Sequence, residues 1–166
     1  MQNKISQNLE AKISQHQARI AVIGLGYVGL PLVNAFYQKG FAVSGLDNNP
    51  QKISRLKAGI NDIPDVDAKQ FAALAADQNT VFSTEPQILA DADVVLICVP
   101  TPLSPSKEPD LSFILAAAHA IKTHLHQGQL IILESTTYPG TTDEVLLPIL
   151  ESAQMKLDQD FCRFFA

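Results

Sequence analysis

From Arg19 onward the chain alternates short apolar runs with longer mixed segments, and Gly, Pro or Asn marks almost every change between them. Ile20-Ala21-Val22-Ile23 reads as a strand. A glycine turn and a helical stretch follow, ending near Lys39-Gly40, where Gly40 suits a left-handed cap. A second apolar run, Phe41 to Leu46, stops at Asp47, and Asn49-Pro50 supplies an N-cap and a first-turn proline for a helix over Pro50 to Ala58. The loop Asn61 to Asp67 leads to an alanine-rich stretch, Ala68 to Ala76, helical by propensity, and then to a short strand at Thr80 to Ser83. Thr84-Glu85-Pro86-Gln87 has the form of a capping box and is expected to open a short helix. Asp93 to Val99 is a continuous apolar strand of the kind buried on both faces. After the proline-rich loop Pro100 to Pro109 come a helix from Leu111 to about His124 and a strand at Leu130 to Leu133. A last helix, capped by Thr141-Thr142-Asp143-Glu144, reaches about Ser152.

Strands alternating with helices imply parallel pairing, because each right-handed crossover lays its helix on one face of the sheet. The pattern therefore predicts an α/β domain over residues 19–166, a doubly wound parallel sheet in strand order 3-2-1-4-5. The apolar tail Phe161-Cys162-Arg163-Phe164-Phe165-Ala166 is placed to begin a sixth strand. Residues 1–18 form an N-terminal extension in which Ile5, Leu9 and Ile13 recur every four residues. One weak helix packed on the domain and a frayed end fit this spacing equally well.

Composition narrows the partners. A formal charge of -5 from 12 basic and 17 acidic residues, with no Lys/Arg cluster, argues against nucleic acid. No apolar run approaches the roughly 20 residues that span a bilayer, so no membrane is expected. Two cysteines, Cys98 and Cys162, without metal-ligand spacing, suggest free thiols in the cytoplasm and no metal site. Cys98 has no basic neighbour in sequence that would make it a thiolate, and His119, His124 and His126 read as helix-surface and helix-end residues.

Gly24-Leu25-Gly26-Tyr27-Val28-Gly29 lies between the first strand and the first helix, the context in which a GxGxxG turn has a specific chemistry. Gly24 permits the turn, Gly26 lets the backbone approach a pyrophosphate, Gly29 allows close helix–strand packing, and the helix N-terminus offers unpaired N–H groups to the anion. Asp47, at the end of the second strand, lies close to the offset of about 20 residues expected for an acid that accepts the adenosine ribose hydroxyls. A carboxylate there repels a 2′-phosphate, so this Rossmann domain is expected to take NAD rather than NADP.

Further motifs make the resemblance specific: Leu30-Pro31 after the glycine turn, Val99-Pro100-Thr101-Pro102-Leu103, Pro109-Asp110-Leu111-Ser112, and Glu134-Ser135-Thr136-Thr137-Tyr138-Pro139-Gly140-Thr141-Thr142. Together they resemble the UDP-glucose/GDP-mannose dehydrogenase family, and the last string is most similar to enzymes that oxidise C6 of UDP-N-acetylhexosamines. The resemblance covers about Ile20 to Leu150. It implies that Tyr27, Val28, Val99, Pro100, Thr101, Ser135 and Thr136 join the glycines and Asp47 at the cofactor, with Thr136 also near the reacting carbon. Pro31 fits either a helix interior, where it removes a hydrogen bond, or a harmless first turn.

Family members oxidise a primary alcohol to a carboxylate by two hydride transfers, through a thiohemiacetal on a cysteine in a Gly-Gly-x-Cys-like motif. The resemblance places that cysteine, a Ser-Pro-Glu-Arg-like segment and the central and C-terminal sugar-nucleotide domains beyond this sequence. The chain is therefore expected to be a truncated product or a domain, inactive alone, whose parent makes uronates for surface polysaccharide. Homo-oligomerisation stays open. Two other readings compete. A free-standing NAD-sensing regulatory domain would not need the Thr101 and Thr136 motifs. A 3-hydroxyacid dehydrogenase would share the glycine turn but not Pro100-Thr101-Pro102-Leu103.

Overall fold

The structure, a computed structural model, describes residues 4–103, 109–153, 155–157 and 160–165, with backbone alone for 4–6 and 162–165. Six parallel strands form the sheet: β1 (Arg19–Ile23), β2 (Ala42–Leu46), β3 (Thr80–Ser83), β4 (Val94–Ile97), β5 (Leu130–Leu133) and β6 (Cys162–Phe165), in order β3-β2-β1-β4-β5-β6. The expected order holds, and the tail supplies the sixth strand, Leu130 to Leu133 pairing in register with Cys162 to Phe165. β4 is buried on both faces along its whole length, as its unbroken Val-Val-Leu-Ile run requires.

Two apolar clusters, one on each face, follow from the alternation of side chains along the strands. One gathers Val22, Leu30, Val33, Leu56, Phe71 and Leu96 beneath α2 (Gly29–Gln38), α3 (Pro50–Lys57) and α4 (Ala68–Ala76). The other gathers Ile97, Ile114, Ile121, Leu133, Leu150 and Phe161 beneath α5 (Ser112–His124) and α6 (Leu147–Glu151). Helices change face between β3 and β4, so the chain reverses direction at β1 and β4. Their carboxyl ends diverge there and leave a crevice.

The caps at α2 and α3 follow the sequence. Gly40 sits at φ +86, and the Asn49 side chain accepts from the amides of Gln51 and Lys52. Pro31 falls in the first turn of α2; the bonds Leu30 N–H to Gly26 O and Leu32 N–H to Val28 O flank it, where its missing donor interrupts only one rung.

Two expected caps are absent. Thr84 does not cap a helix: the turn after β3 is a 3₁₀ segment, Pro86–Leu89, whose N-cap is Glu85, while Ser83 Oγ accepts the Glu85 amide. Pro86, with its fixed φ and no N–H, sets the helix start one residue beyond the box. Thr141 likewise donates its hydroxyl backward to Tyr138 O, and the chain enters α6 through a π turn, Thr142–Leu146. Pro148 explains the wider turn, since its ring would meet the carbonyl four residues earlier in an ordinary helix.

The extension resolves as a helix, α1 (Lys4–Ser14), with Leu9 buried and Ile13 exposed. Its anchor is remote in sequence: Lys12 Nζ lies 2.5 Å from Asp93 Oδ1, and Asp93 Oδ2 accepts the Arg19 amide at 2.8 Å. His126, expected at a helix end, instead places Nε2 2.9 Å from Ala92 O.

Candidate functional site

The crevice at the carboxyl ends of β1, β2, β4 and β5 opens into a cavity of about 590 Å³. Every residue expected at the cofactor lines it except Gly29. Gly29 instead brings helix and turn together: a Cβ there would lie 1.8 Å from Gly24 O and 3.1 Å from Val22 Cγ1. Gly24 turns the chain at φ +90 beneath the Cys98 carbonyl, and its amide donates to Leu46 O at 2.8 Å. The amides that follow, from Gly26 to Val28, have no backbone acceptor among the described residues. A Cβ on Gly26 would meet nothing within 4 Å and would project into open space. A small cradle ringed by unpaired amides at a helix N-terminus suits a pyrophosphate in charge and in shape.

Asp47 is nearly buried, at 8% exposure, and three donors hold its carboxylate. Oδ2 accepts the Leu25 amide at 3.0 Å and pairs with Lys52 Nζ at 2.8 Å, while Oδ1 accepts the Asn49 amide at 3.0 Å. Of roughly four acceptor positions on a carboxylate, one is left. Asp47 can thus accept one ribose hydroxyl as it stands, and a second only if Lys52 swings away. Lys52, in the first turn of α3, also lines the cavity. Lys52 had no expected role, although a lysine one turn beyond a strand-end acid is a readable signal for an ion pair.

At the other end of the crevice, side-chain hydroxyls bind the loops after β4 and β5 together. Thr101 Oγ1 donates to Thr136 O at 2.5 Å, and Ser135 Oγ donates to Val99 O at 2.8 Å. These protons are spent on loop geometry, so Thr101 and Ser135 offer a ligand their acceptor lone pairs. Thr136 is exposed at the rim. Phe113, Ala116 and Ala120 of α5 give the cavity an apolar wall, and the small alanines leave its width. Asp110 accepts the Ser112 amide at 2.9 Å, which holds its carboxyl below the usual range, and its own amide closes the loop onto Pro102 O; it orders the start of α5. Residues 104–108 of the proline-rich loop lie outside the described residues.

Cys98 also lines the cavity, half-buried at the end of β4. Burial, and then the charge of Glu134, push its thiol up to about 12, so it stays protonated at neutral pH. In a Cys162→Ser background, iodoacetamide at pH 8 is expected to label Cys98 roughly a thousandfold more slowly than an ordinary thiol of pKa about 8.5. Labelling at the ordinary rate would refute the protonated state. Among the described residues no group of three or more His, Cys, Asp or Glu is placed to hold a metal ion, and no helix is long and apolar enough to cross a membrane.

A doubly wound parallel sheet with a glycine cradle at its switch point and an acid at the end of the neighbouring strand defines a dinucleotide-binding domain. Residues 18–162 match the family described as the UDP-glucose/GDP-mannose dehydrogenase family, NAD binding domain, and the chain belongs to that family. It is 39% identical over 144 residues to a UDP-N-acetyl-D-glucosamine 6-dehydrogenase of Pseudomonas aeruginosa, covering 86% of this chain and 33% of that protein. It is also 39% identical over 131 residues to a UDP-N-acetyl-D-mannosamine dehydrogenase of Methanocaldococcus jannaschii, covering 76% of this chain and 30% of that one. Among solved structures, the UDP-N-acetyl-mannosamine dehydrogenase of Staphylococcus aureus superposes with a TM-score of 0.82 at 31% identity, over 89% of this chain and 35% of the other. The chain thus spans about a third of the length of these relatives.

Proposed function

We propose that this chain, with residues 19–166 as its cofactor domain, holds NAD for a nucleotide-sugar 6-dehydrogenase that oxidises the primary alcohol of a UDP-N-acetylhexosamine or UDP-glucose to a carboxylate. The observation that carries the proposal is one continuous cavity running from Asp47 and Lys52, past the open cradle at Gly26, to the joined Thr101 and Thr136 loops. When bound, NAD supplies the hydride acceptor. The amides of Gly26 to Val28 hold its pyrophosphate, and Asp47 with Lys52 holds the adenosine ribose. Val99, Pro100 and Thr101 border the nicotinamide half, Ser135 fixes the loops around it, and Thr136 orients the substrate hydroxyl. The free thiol of Cys98 suits a reducing, cytoplasmic setting.

Titration calorimetry with NAD and NADP tests the proposal. The chain is expected to prefer NAD at least tenfold, because a 2′-phosphate meets Asp47 as a like charge and one like charge readily costs about 1.4 kcal/mol. Asp47→Asn keeps an acceptor for the buried Leu25 amide and removes the charge. It is expected to weaken NAD about tenfold and to free Lys52 for the phosphate, so that the preference disappears. Equal affinities in the unaltered chain, or an unchanged preference in Asp47→Asn, would reduce Asp47 to a loop-ordering acid.

A further inference from the structure

We propose that Glu134 makes this site prefer the oxidised cofactor to the reduced one. The proposal rests on the NAD-binding reading above and adds a residue that the sequence analysis assigned no role. Glu134 follows β5 directly; its amide donates to Ile97 O at 3.0 Å, which pins it beside the end of β4. Strand alternation places it on the sheet face of Leu130 and Ile132, the face that carries α2, and it lines the cavity next to Cys98. Among the described residues its carboxylate has neither a hydrogen bond nor an ion pair.

Among the described residues the other charged groups on the cavity wall are Asp47 and Lys52, which pair with each other at the far end. Among the described residues the charge without an ion-pair partner is therefore the Glu134 carboxylate, at the β4–β5 end. A dinucleotide with its pyrophosphate over Gly26 and its adenosine at Asp47 brings the nicotinamide to that end. The oxidised ring carries a positive charge and the reduced ring carries none, while the rest of the two molecules is identical. A fixed carboxylate in a partly closed cleft favours only the first. The consequence suits the proposed chemistry: alcohol to carboxylate removes four electrons, each cofactor accepts two, and NADH must leave before a second NAD⁺ can act.

The test measures Kd for NAD⁺ and for NADH with the full chain and with Glu134→Gln and Glu134→Asp. In Glu134→Gln the ratio Kd(NADH)/Kd(NAD⁺) is expected to fall about tenfold, mainly through weaker NAD⁺ binding, and in Glu134→Asp to return most of the way. In the unaltered chain the same ratio is expected to fall as salt is raised, since screening weakens a charge–charge term and spares neutral contacts. That measurement needs no variant to fold. A ratio that changes with neither the Gln substitution nor salt, while both cofactors bind, overturns the role of Glu134 and leaves the cofactor reading standing. Failure of the unaltered chain to bind either form overturns both.

Discussion

Gly29→Ala is expected to destabilise the domain by about 3 kcal/mol or more, whereas Gly26→Ala is expected to leave stability unchanged and remove cofactor binding. The two positions differ in what a methyl group would meet. At Gly29 it would lie 1.8 Å from the Gly24 carbonyl oxygen, a contact that only a shift of α2 away from the turn and from Val22 can relieve. Overpacking of side chains costs about 1–3 kcal/mol, and backbone against backbone yields less easily. For a domain of this size the melting temperature should drop by roughly 6–12 °C. At Gly26 the methyl meets no protein atom, and φ lies outside the left-handed region, so alanine carries no backbone strain. It would occupy the cradle instead, and NAD affinity should fall by about a hundredfold or more through loss of the close approach to the amides. Thermal unfolding by circular dichroism and calorimetric titration of both variants separate the two roles. A Gly26→Ala variant that still binds NAD at the original affinity would remove the pyrophosphate from this turn.

The sheet was legible because its signals are local. The central strands β1, β2 and β4 are largely apolar runs of four or five residues followed closely by Gly24, Asp47 and Pro100, and those residues enforce the breaks wherever the chain later packs. Even the sixth strand was marked by its apolar tail. What escaped depends on partners far away in sequence or on two local rules in conflict. The docking of α1 needs Lys12 to reach Asp93, 81 residues on, and spacing alone left helix and frayed end equal. The Thr84 box satisfied one capping rule while Pro86 imposed another, and the proline prevailed because its missing donor cannot be negotiated. At the site, the glycines and Asp47 were readable from the turn. The Asp47–Lys52 pair went unread, although Lys52 in the first helical turn after a strand-end acid carried its signal. Glu134 had no signal beyond its place in the family string, since its consequence comes from lining a cavity that only the fold creates.

This chain alone is expected to produce no NADH from UDP-glucose, UDP-N-acetylglucosamine or UDP-N-acetylgalactosamine, with turnover below roughly 10⁻³ s⁻¹ against the 1–10³ s⁻¹ typical of enzymes. Oxidation to the carboxylate passes through an aldehyde that must be held, and holding it as a thiohemiacetal needs a thiolate at the nicotinamide. Cys98 lines the right cavity, but burial and then the charge of Glu134 push its thiol up to about 12, so it is protonated at neutral pH, and a thiol adds poorly to a carbonyl. Thr136 can accept or donate a hydrogen bond at the rim, yet a hydroxyl cannot remove the alcohol proton at neutral pH. Glu134, the carboxylate nearby, is proposed to face the cofactor ring rather than the sugar. The Thr136 rim is open to solvent, so the orientation that supplies much of a hydride-transfer rate is also missing. An absorbance assay at 340 nm with high protein concentration measures the turnover, and a Cys98→Ser, Cys162→Ser variant serves as the control. Steady NADH formation that persists in the variant would mean that another group of this domain performs the proton transfer, and Glu134 would be the first to replace.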